Sequence, residues 1–254
     1  MSFNLTIKSL EYWLRKPEFN IPKIGLTRAE VEDEQYKLME ANNRILGRSF
    51  HHTFCMWFQK WGRIPTPQEF IAMQMKDIKK NYQNQAWRRN HKVTFNLTPI
   101  VEKGLKQRLL RSYISFINEL HTELQIQEIY PKVEISRNDE LDFSGIDIQA
   151  TDKKRNVVHN IHITKNSVYA IDFLFKKEGK FLEFRGYNNK LWAVPCWKKS
   201  THPIYKERDF SGHVFLLYDP KSSDSTKVIN GYPLFKEEYI KNKLEANYVR
   251  KKGA

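Results

Sequence analysis

In the first half of the chain, apolar residues recur at intervals of three and four, the spacing of one face of an α-helix. Aromatic side chains between Phe50 and Trp61 follow this spacing, and Gly62 ends the segment. Capping boxes at Thr27 and Thr66, each with glutamate three residues later, predict helices over residues 27–46 and 66–82. The first part of the chain is therefore expected to be mainly helical.

A longer helix is predicted from near Pro99, where apolar residues again follow a helical period. The predicted buried stripe consists of Leu105, Leu109, Tyr113, Phe116, Ile117, Leu120 and Leu124. The other face carries the cations Lys103, Lys106, Arg108 and Arg111. Such a cationic row is either a solvated helix face or a surface for a polyanion, and the spacing fits both.

From about Lys132 the apolar period changes from 3.6 to 2, which indicates β-strands. The predicted strands cover residues 147–150, 157–165, 168–175, 181–185, 191–195 and 214–218. A polar turn is expected at 151–156, a loop at 221–226, and a final helix at 235–249. No repeat or long linker interrupts this order, so we expect one α/β domain with a helical N-terminal part.

Composition narrows the class of protein. The 254 residues contain 43 Lys and Arg against 29 Asp and Glu, a formal net charge of +14. This imbalance favours a polyanionic partner, although an uninvolved basic surface would have the same composition. Two distant cysteines, Cys55 and Cys196, argue against a disulfide scaffold or a thiolate zinc site. The sequence has no long apolar stretch or signal peptide, so a soluble cytoplasmic protein without membrane contact is expected.

Two aspartates and the strand after them carry the candidate chemistry. Asp142 precedes a predicted strand that begins at Asp147 and returns as a second strand containing His162, Thr164 and Lys165. A hairpin of this kind brings Asp147 near the polar residues of the returning strand. Carboxylates are the side chains that hold Mg²⁺, which assists phosphodiester hydrolysis by activating water and stabilising the leaving oxygen. In the alternative, structural interpretation, Asp142 is a turn residue and Asp147 protects a strand edge.

The residues from Glu140 to Asp147, ELDFSGID, followed by Ile161 to Lys165, IHITK, resemble the catalytic segment of the TaqI restriction endonuclease family. That family, part of the PD-(D/E)xK nuclease superfamily, carries an ELD-x-x-GID run, a short turn and an IQIKK strand. Residues 104–112 and 231–241 are similar to flanking helical segments of the family. The resemblance covers about the last 150 residues of the chain.

The resemblance implies a restriction-endonuclease-like core, a mixed sheet flanked by helices, over residues 99–254, with a helical part over 1–98 in one continuous domain. It implies a type II enzyme that cuts double-stranded DNA with Mg²⁺ and acts as a homodimer, with a cognate DNA methyltransferase encoded nearby. Asp142 and Asp147 match the metal-binding acidic positions, and Gly145 would allow the turn between them. Lys165 would orient or deprotonate the attacking water, or stabilise the pentavalent phosphate.

The returning strand departs from the family at two positions, because His162 replaces glutamine and Thr164 replaces the first lysine. Side chains alternate along a strand, so His162 and Thr164 should share one face while Lys165 points to the other. Either a bulge brings Lys165 to the site, or the lysine function is lost or relocated. His162 is either a ligand better suited to Mn²⁺ than to Mg²⁺ or a satisfied strand histidine, and Thr164 would hydrogen-bond a water.

Candidate DNA-binding residues lie on four segments rich in cations and amides. Lys153, Lys154 and Arg155 occupy the hairpin tip, which the sequence predicts to lie beside the site, although a solvated turn has the same composition. The others are Arg88 and Arg89 beside Trp87, the loop residues Asn188, Asn189 and Lys190, and Lys198 and Lys199 after Trp197.

Three functions fit the sequence. The first is sequence-specific DNA cleavage in the manner of a type II restriction enzyme. The second is DNA binding by a nuclease-derived protein that lost its chemistry when Thr164 replaced lysine. The third is a structure-selective nuclease that acts on RNA or branched DNA through the same metal site.

Overall fold

The computed structural model describes residues 5–24, 50–84, 96–137, 146–166 and 213–252. The chain divides into two compact units, one of residues 1–117 and 229–232 and the other of residues 118–228 and 233–254. The candidate chemistry lies in the second unit. None of the described helices is long and apolar enough to cross a bilayer.

Apart from residues 229–232, the described part of the first unit is helical. Its elements are α1 (Ile7–Leu14), a 3-10 turn (Pro17–Phe19), α2 (Phe50–Trp61), α3 (Pro67–Gln83) and the first half of α4 (Pro99–Ile129). The predicted aromatic helix, the helix after Thr66 and the long helix from Pro99 are therefore confirmed. The helix predicted over residues 27–46 lies outside the described residues.

The junction between α2 and α3 forms as its sequence predicts. Gly62 ends α2 with a φ of 65°, and its N–H donates to the carbonyl of Phe58 at 2.8 Å. This left-handed conformation is the one that glycine adopts without a steric penalty. At the start of α3, the Thr66 hydroxyl accepts the N–H of Glu69 and the Glu69 carboxylate accepts the N–H of Thr66. The predicted capping box is present.

The buried positions of α4 differ from the predicted stripe. In its first half Leu105, Leu109, Tyr113, Phe116 and Ile117 are buried as predicted. In its second half the predicted Leu120 and Leu124 are only partly buried. Buried instead are Asn118, His121, Thr122, Gln125 and Ile126. The prediction of one continuous apolar stripe is wrong, because the buried side moves around the helix near Ile117 and then includes mostly polar residues.

The second unit contains a mixed four-stranded sheet in the order β1-β2-β3-β4. Its strands are β1 (Glu134–Ser136), β2 (Ile148–Asp152), β3 (Val157–Lys165) and β4 (His213–Tyr218). The first three pair antiparallel, and β4 runs parallel to β3. Three predicted strands are confirmed, with β2 extending through Asp152 into the predicted turn. The strands predicted over 168–175, 181–185 and 191–195 lie outside the described residues.

A second hairpin, β5 (Thr226–Ile229) and β6 (Tyr232–Phe235), was not predicted from the sequence. The predicted loop at 221–226 therefore ends one residue early, and the final helix α5 begins at Glu237 rather than at residue 235. Asn230 and Gly231 form the turn with φ values of 51° and 89°. An Asn-Gly pair with both φ angles positive is the strongest short sequence signal for a two-residue hairpin, and this signal was available.

One face of the sheet builds the core of the second unit. Ile148, Ala150, Ile161, Val214 and Leu216 pack with Ile126, Phe235, Ile240 and Leu244. The residues of β2 and β4 that join this core, Ile148 and Ala150 and then Val214 and Leu216, are every second residue, as expected for strands that bury one face against helices. On β4 the intervening Phe215 and Leu217 are also buried. A mixed α/β fold with a four-stranded sheet and packed helices is therefore established for the described residues.

Candidate active site

Asp147 lies immediately before β2, where that strand meets the second half of β3. Its backbone N–H donates to the carbonyl of Ile161 at 3.0 Å. Its carboxylate Oδ2 accepts the backbone N–H of Ile163 at 2.6 Å. The predicted approach of Asp147 to the polar part of the returning strand is thus confirmed. This partly buried carboxylate is held in a fixed direction by a backbone donor on the neighbouring strand.

The hairpin that makes this approach follows from its local sequence. Asp152, the last residue of β2, accepts the backbone N–H of Arg155 on its Oδ1 at 3.0 Å. Asn156 adopts a φ of 51°, which asparagine tolerates better than most residues. The resulting register pairs Ile148 with Ile161 and Asp152 with Val157. A short turn of polar residues thereby fixes which part of β3 faces Asp147.

The two faces of β3 separate the predicted catalytic residues. His162 and Thr164 pair with Phe215 and Leu217 of β4 on one face, whereas Lys165 pairs with Tyr218 on the other. His162 is fully buried, Thr164 is partly buried and Lys165 is exposed at the end of the strand. The alternation predicted from the sequence is therefore present, and β3 shows one unbroken register with β4 through Lys165.

The ring of His162 contacts two rings of β4, one edge to edge through a hydrogen bond and one by stacking. Its Nε2 atom lies 2.8 Å from Nδ1 of His213, a hydrogen-bond distance. The rings of His162 and His213 are 5.1 Å apart and inclined by 15°, and the ring of Phe215 lies 4.6 Å from His162 at 13°. His162 is thus a satisfied strand histidine, one of the two roles that the sequence left open, and its partner was not predicted.

Two further side chains continue this hydrogen-bonded row across the sheet. Asn160 Nδ2 lies 3.5 Å from Nε2 of His213, and Gln149 Nε2 donates to Asn160 Oδ1 at 3.0 Å. The row joins β2, β3 and β4. Sequence reasoning missed it because no periodic pattern indicates that position 213 pairs with position 160. The only signal is a histidine just ahead of the apolar run that forms the rest of β4.

The cations at the hairpin tip lie away from Asp147, so their predicted position beside the site is wrong. The turn at 153–156 follows the far end of β2, and five strand residues correspond to about 17 Å. Lys153 pairs with Glu134 at 2.5 Å, and Arg155 lies 3.7 Å from Asp152 and 4.0 Å from Glu245. The separation follows from the length of β2, because Asp147 precedes the first residue of this strand and the turn follows its last residue.

Arg137 neutralises two carboxylates near the site. It follows β1, whose Ser136 pairs with Gln149, so it lies toward the same end of the sheet as Asp147. Its guanidinium contacts Glu119 at 2.6 Å and Glu123 at 3.2 Å. Burial, followed by the negative charge of Glu119, raises the pKa of Tyr218 on β4. The tyrosine hydroxyl therefore stays neutral across the physiological range.

The other predicted site residues lie outside the described residues. They are Asp142, Gly145, Arg88, Arg89, Asn188, Asn189, Lys190, Lys198 and Lys199. Within the parts of the chain that the structure describes, no three His, Cys, Asp or Glu side chains converge to hold a metal ion. Of the two predicted ligands, only Asp147 is placed.

Comparisons of the chain with protein-family models, with curated protein sequences and with solved structures found no match. The resemblance to the TaqI family therefore rests on the motif residues.

Proposed function

We propose that this protein is a metal-dependent DNA endonuclease with a restriction-endonuclease-like core. One observation carries the proposal. The Asp147 carboxylate, which ends the ELDFSGID run, is held by the backbone N–H of Ile163 in the strand that contains His162 and Thr164. The mixed sheet with packed helices is consistent with this core. The net charge of +14 is consistent with a nucleic-acid partner.

Asp147, together with Asp142, would hold Mg²⁺ or Mn²⁺. A partly exposed carboxylate fixed by one backbone donor is a suitable ligand for these cations, which need only one or two protein carboxylates. When bound, the metal supplies water activation and charge stabilisation. Thr164, on the same strand face as His162, would hydrogen-bond the attacking water. Lys165, exposed at the strand end, would contact a phosphate from the opposite face.

The partners follow from the same proposal. A homodimer would cut double-stranded DNA at a short palindromic sequence, since its two-fold axis places one active site on each DNA strand. The protein would act in the cytoplasm, and a cognate DNA methyltransferase encoded nearby would protect the host chromosome. The same metal site would serve a structure-selective nuclease on RNA or branched DNA.

Cleavage of unmethylated plasmid DNA with Mg²⁺ or Mn²⁺ tests the proposal. We expect discrete fragments from the wild-type chain and at least a hundredfold loss of rate for Asp147→Asn. The amide oxygen of that variant still accepts the Ile163 N–H but lacks the charge that binds a cation. Asp152→Asn is the matched control, because Asp152 also accepts a backbone N–H at a strand end, away from Asp147. Asp147→Asn cutting at the control rate would refute the assignment.

A catalytically inactive DNA-binding protein is the second candidate. It is favoured by Thr164 at the family's lysine position, with Lys165 on the other face of β3. Such a protein would cut no DNA with either Mg²⁺ or Mn²⁺ and would bind DNA tightly, with an affinity that falls as salt is added. Parallel assays with RNA and branched DNA identify the structure-selective alternative.

A further inference from the structure

A row of four polar side chains crosses the face of the sheet opposite the apolar core. Gln149, Asn160, His213 and His162 are joined in that order by the hydrogen bonds already described. His162 is 0% exposed, His213 is 7% exposed and Asn160 is 9% exposed. A buried polar group without its hydrogen bond destabilises the fold, so each member constrains its neighbours.

The donors and acceptors of this row define a direction. Asn160 Oδ1 accepts from Gln149, so Asn160 presents its Nδ2 donor to Nε2 of His213. With Nε2 as the acceptor, the proton of neutral His213 is on Nδ1 and is donated to Nε2 of His162. Neutral His162 then carries its own proton on Nδ1. In this arrangement neither ring nitrogen of His162 offers a lone pair to a metal.

The row ends at His162, and the next residue along β3, Ile163, contacts the carboxylate of the candidate site. The main chain of His162 continues directly into the Ile163 N–H, which donates to Asp147 Oδ2 at 2.6 Å. The His162 ring is fixed by the bond to His213 and by the stack on Phe215. Because the ring and the backbone belong to the same strand residue, the contacts of His213 add to the strand pairing that fixes where this N–H points.

We infer that His213 is a positioning residue for Asp147 and acts through His162 and the Ile163 N–H. This inference rests on the proposed metal-dependent function. His213 holds His162 in the Nδ1-protonated tautomer and thereby orients the Asp147 carboxylate toward a divalent cation. Groups that orient a metal ligand typically change metal affinity by about 10- to 100-fold when they are replaced.

Two substitutions at position 213 test the two ring nitrogens one at a time, because each variant keeps only one of the two hydrogen bonds. In His213→Asn the amide nitrogen can replace Nδ1 and keep the donor to His162. In His213→Gln the amide replaces Nε2, so the bond to Asn160 is kept and the donor to His162 is lost. We expect His213→Gln to weaken Mn²⁺ binding, measured by water-proton relaxation, by about tenfold or more. His213→Asn should remain within about threefold of wild type.

The tautomers are read from ¹⁵N chemical shifts of the ring nitrogens, without any activity assay. Wild type and His213→Asn should have the His162 proton on Nδ1, and His213→Gln should lose this preference. His159→Gln controls for general disruption, because His159 is a buried histidine of β3 that pairs with Ala150 on the core face. Thermal unfolding identifies variants that fail to fold, and the comparison is then made between the folded ones.

The results distinguish this inference from the proposed function. Equal Mn²⁺ affinities for His213→Gln and His213→Asn, or a His162 proton on Nε2 in the wild type, would overturn the positioning role. A wild-type chain that binds no Mn²⁺ would overturn it as well. Failure to cut any nucleic acid, combined with Mn²⁺ binding that is weakened only in His213→Gln, would refute the nuclease and leave the positioning role intact.

Discussion

The Glu69 carboxylate illustrates how one residue can serve three donors. It accepts the Thr66 N–H at 2.7 Å and both terminal nitrogens of Arg63 at 2.7 Å. The hydrogen bond from Arg63 is the largest cause that lowers the pKa of Glu69, and the bond from Thr66 adds to it. The same bond raises the pKa of Arg63. This group couples the end of α2 to the start of α3.

Glu69→Gln should lower the free energy of unfolding by about 1–2 kcal/mol at neutral pH, because it weakens the cap and the ion pair. A lowered pKa in the folded state stabilises the protein above the unfolded pKa of about 4.3, and this stabilisation is lost as pH falls through the folded value. Urea unfolding of the wild type and of Glu69→Gln, from neutral to acid pH, measures this difference in the free energy of unfolding.

Glu102→Gln provides the control for this prediction. Glu102 pairs with Lys79, whose side chain is 47% exposed, so its removal should change stability by less than about 1 kcal/mol. An effect of Glu69→Gln no larger than this control, or one independent of pH, would contradict the role given to the cap.

At the scale of elements, α4 shows that a helix can bury different sides along its length. Its second half buries Asn118, His121, Thr122 and Gln125, at i, i+3, i+4 and i+7. Thr122 donates its hydroxyl proton to the carbonyl of Asn118 at 2.8 Å. Neither amide atom of Asn118 has a hydrogen-bond partner among the described residues. Within the part of the chain that the structure describes, this side chain lacks the compensation that buried polar groups normally have.

Asn118→Leu should therefore raise the free energy of unfolding by about 1–2 kcal/mol. The substitution keeps a similar shape and removes two unsatisfied polar atoms. Thermal or urea unfolding measures the change. Thr122→Val is the matched control on the same helix face, and it should not stabilise because it removes a satisfied hydroxyl. A destabilised Asn118→Leu variant would show that the amide has partners that stabilise the fold.

At the scale of the whole molecule, charge is the property most relevant to binding. The chain carries 14 more Lys and Arg than Asp and Glu. Several of these cations have acidic partners, among them Lys153, Arg155 and Arg137. A cation that already contacts a carboxylate exchanges that contact for a phosphate and gains less from binding. The net charge therefore does not by itself locate a DNA surface.

Binding of a DNA duplex without metal should weaken by about a hundredfold or more between about 50 and 200 mM salt, because four or more neutralised phosphates give this dependence. Fluorescence anisotropy measures the slope. Lys153→Ala should change the slope by less than one phosphate equivalent, because Lys153 is paired with Glu134. A slope near zero for the wild-type chain would remove the nucleic-acid partner from the proposal.

The sequence alone predicted those elements whose signals are local. The capping box at Thr66, the glycine end of α2 and the β2–β3 hairpin depend on residues close together in the chain, and each is present. The alternation on β3, which separates Thr164 from Lys165, also follows from strand geometry. The Asn-Gly pair of the β5–β6 hairpin is an equally local signal.

Only the tertiary structure decided which distant residues meet. The pairing of β3 with β4 brings His213 to His162 across 51 positions of sequence. The change of buried side along α4 also depends on what packs around the helix, so no single helical period could predict it. Local signals determine the elements and the register of a tight hairpin, whereas contacts between elements that are distant in the chain depend on packing, which no short stretch of sequence encodes.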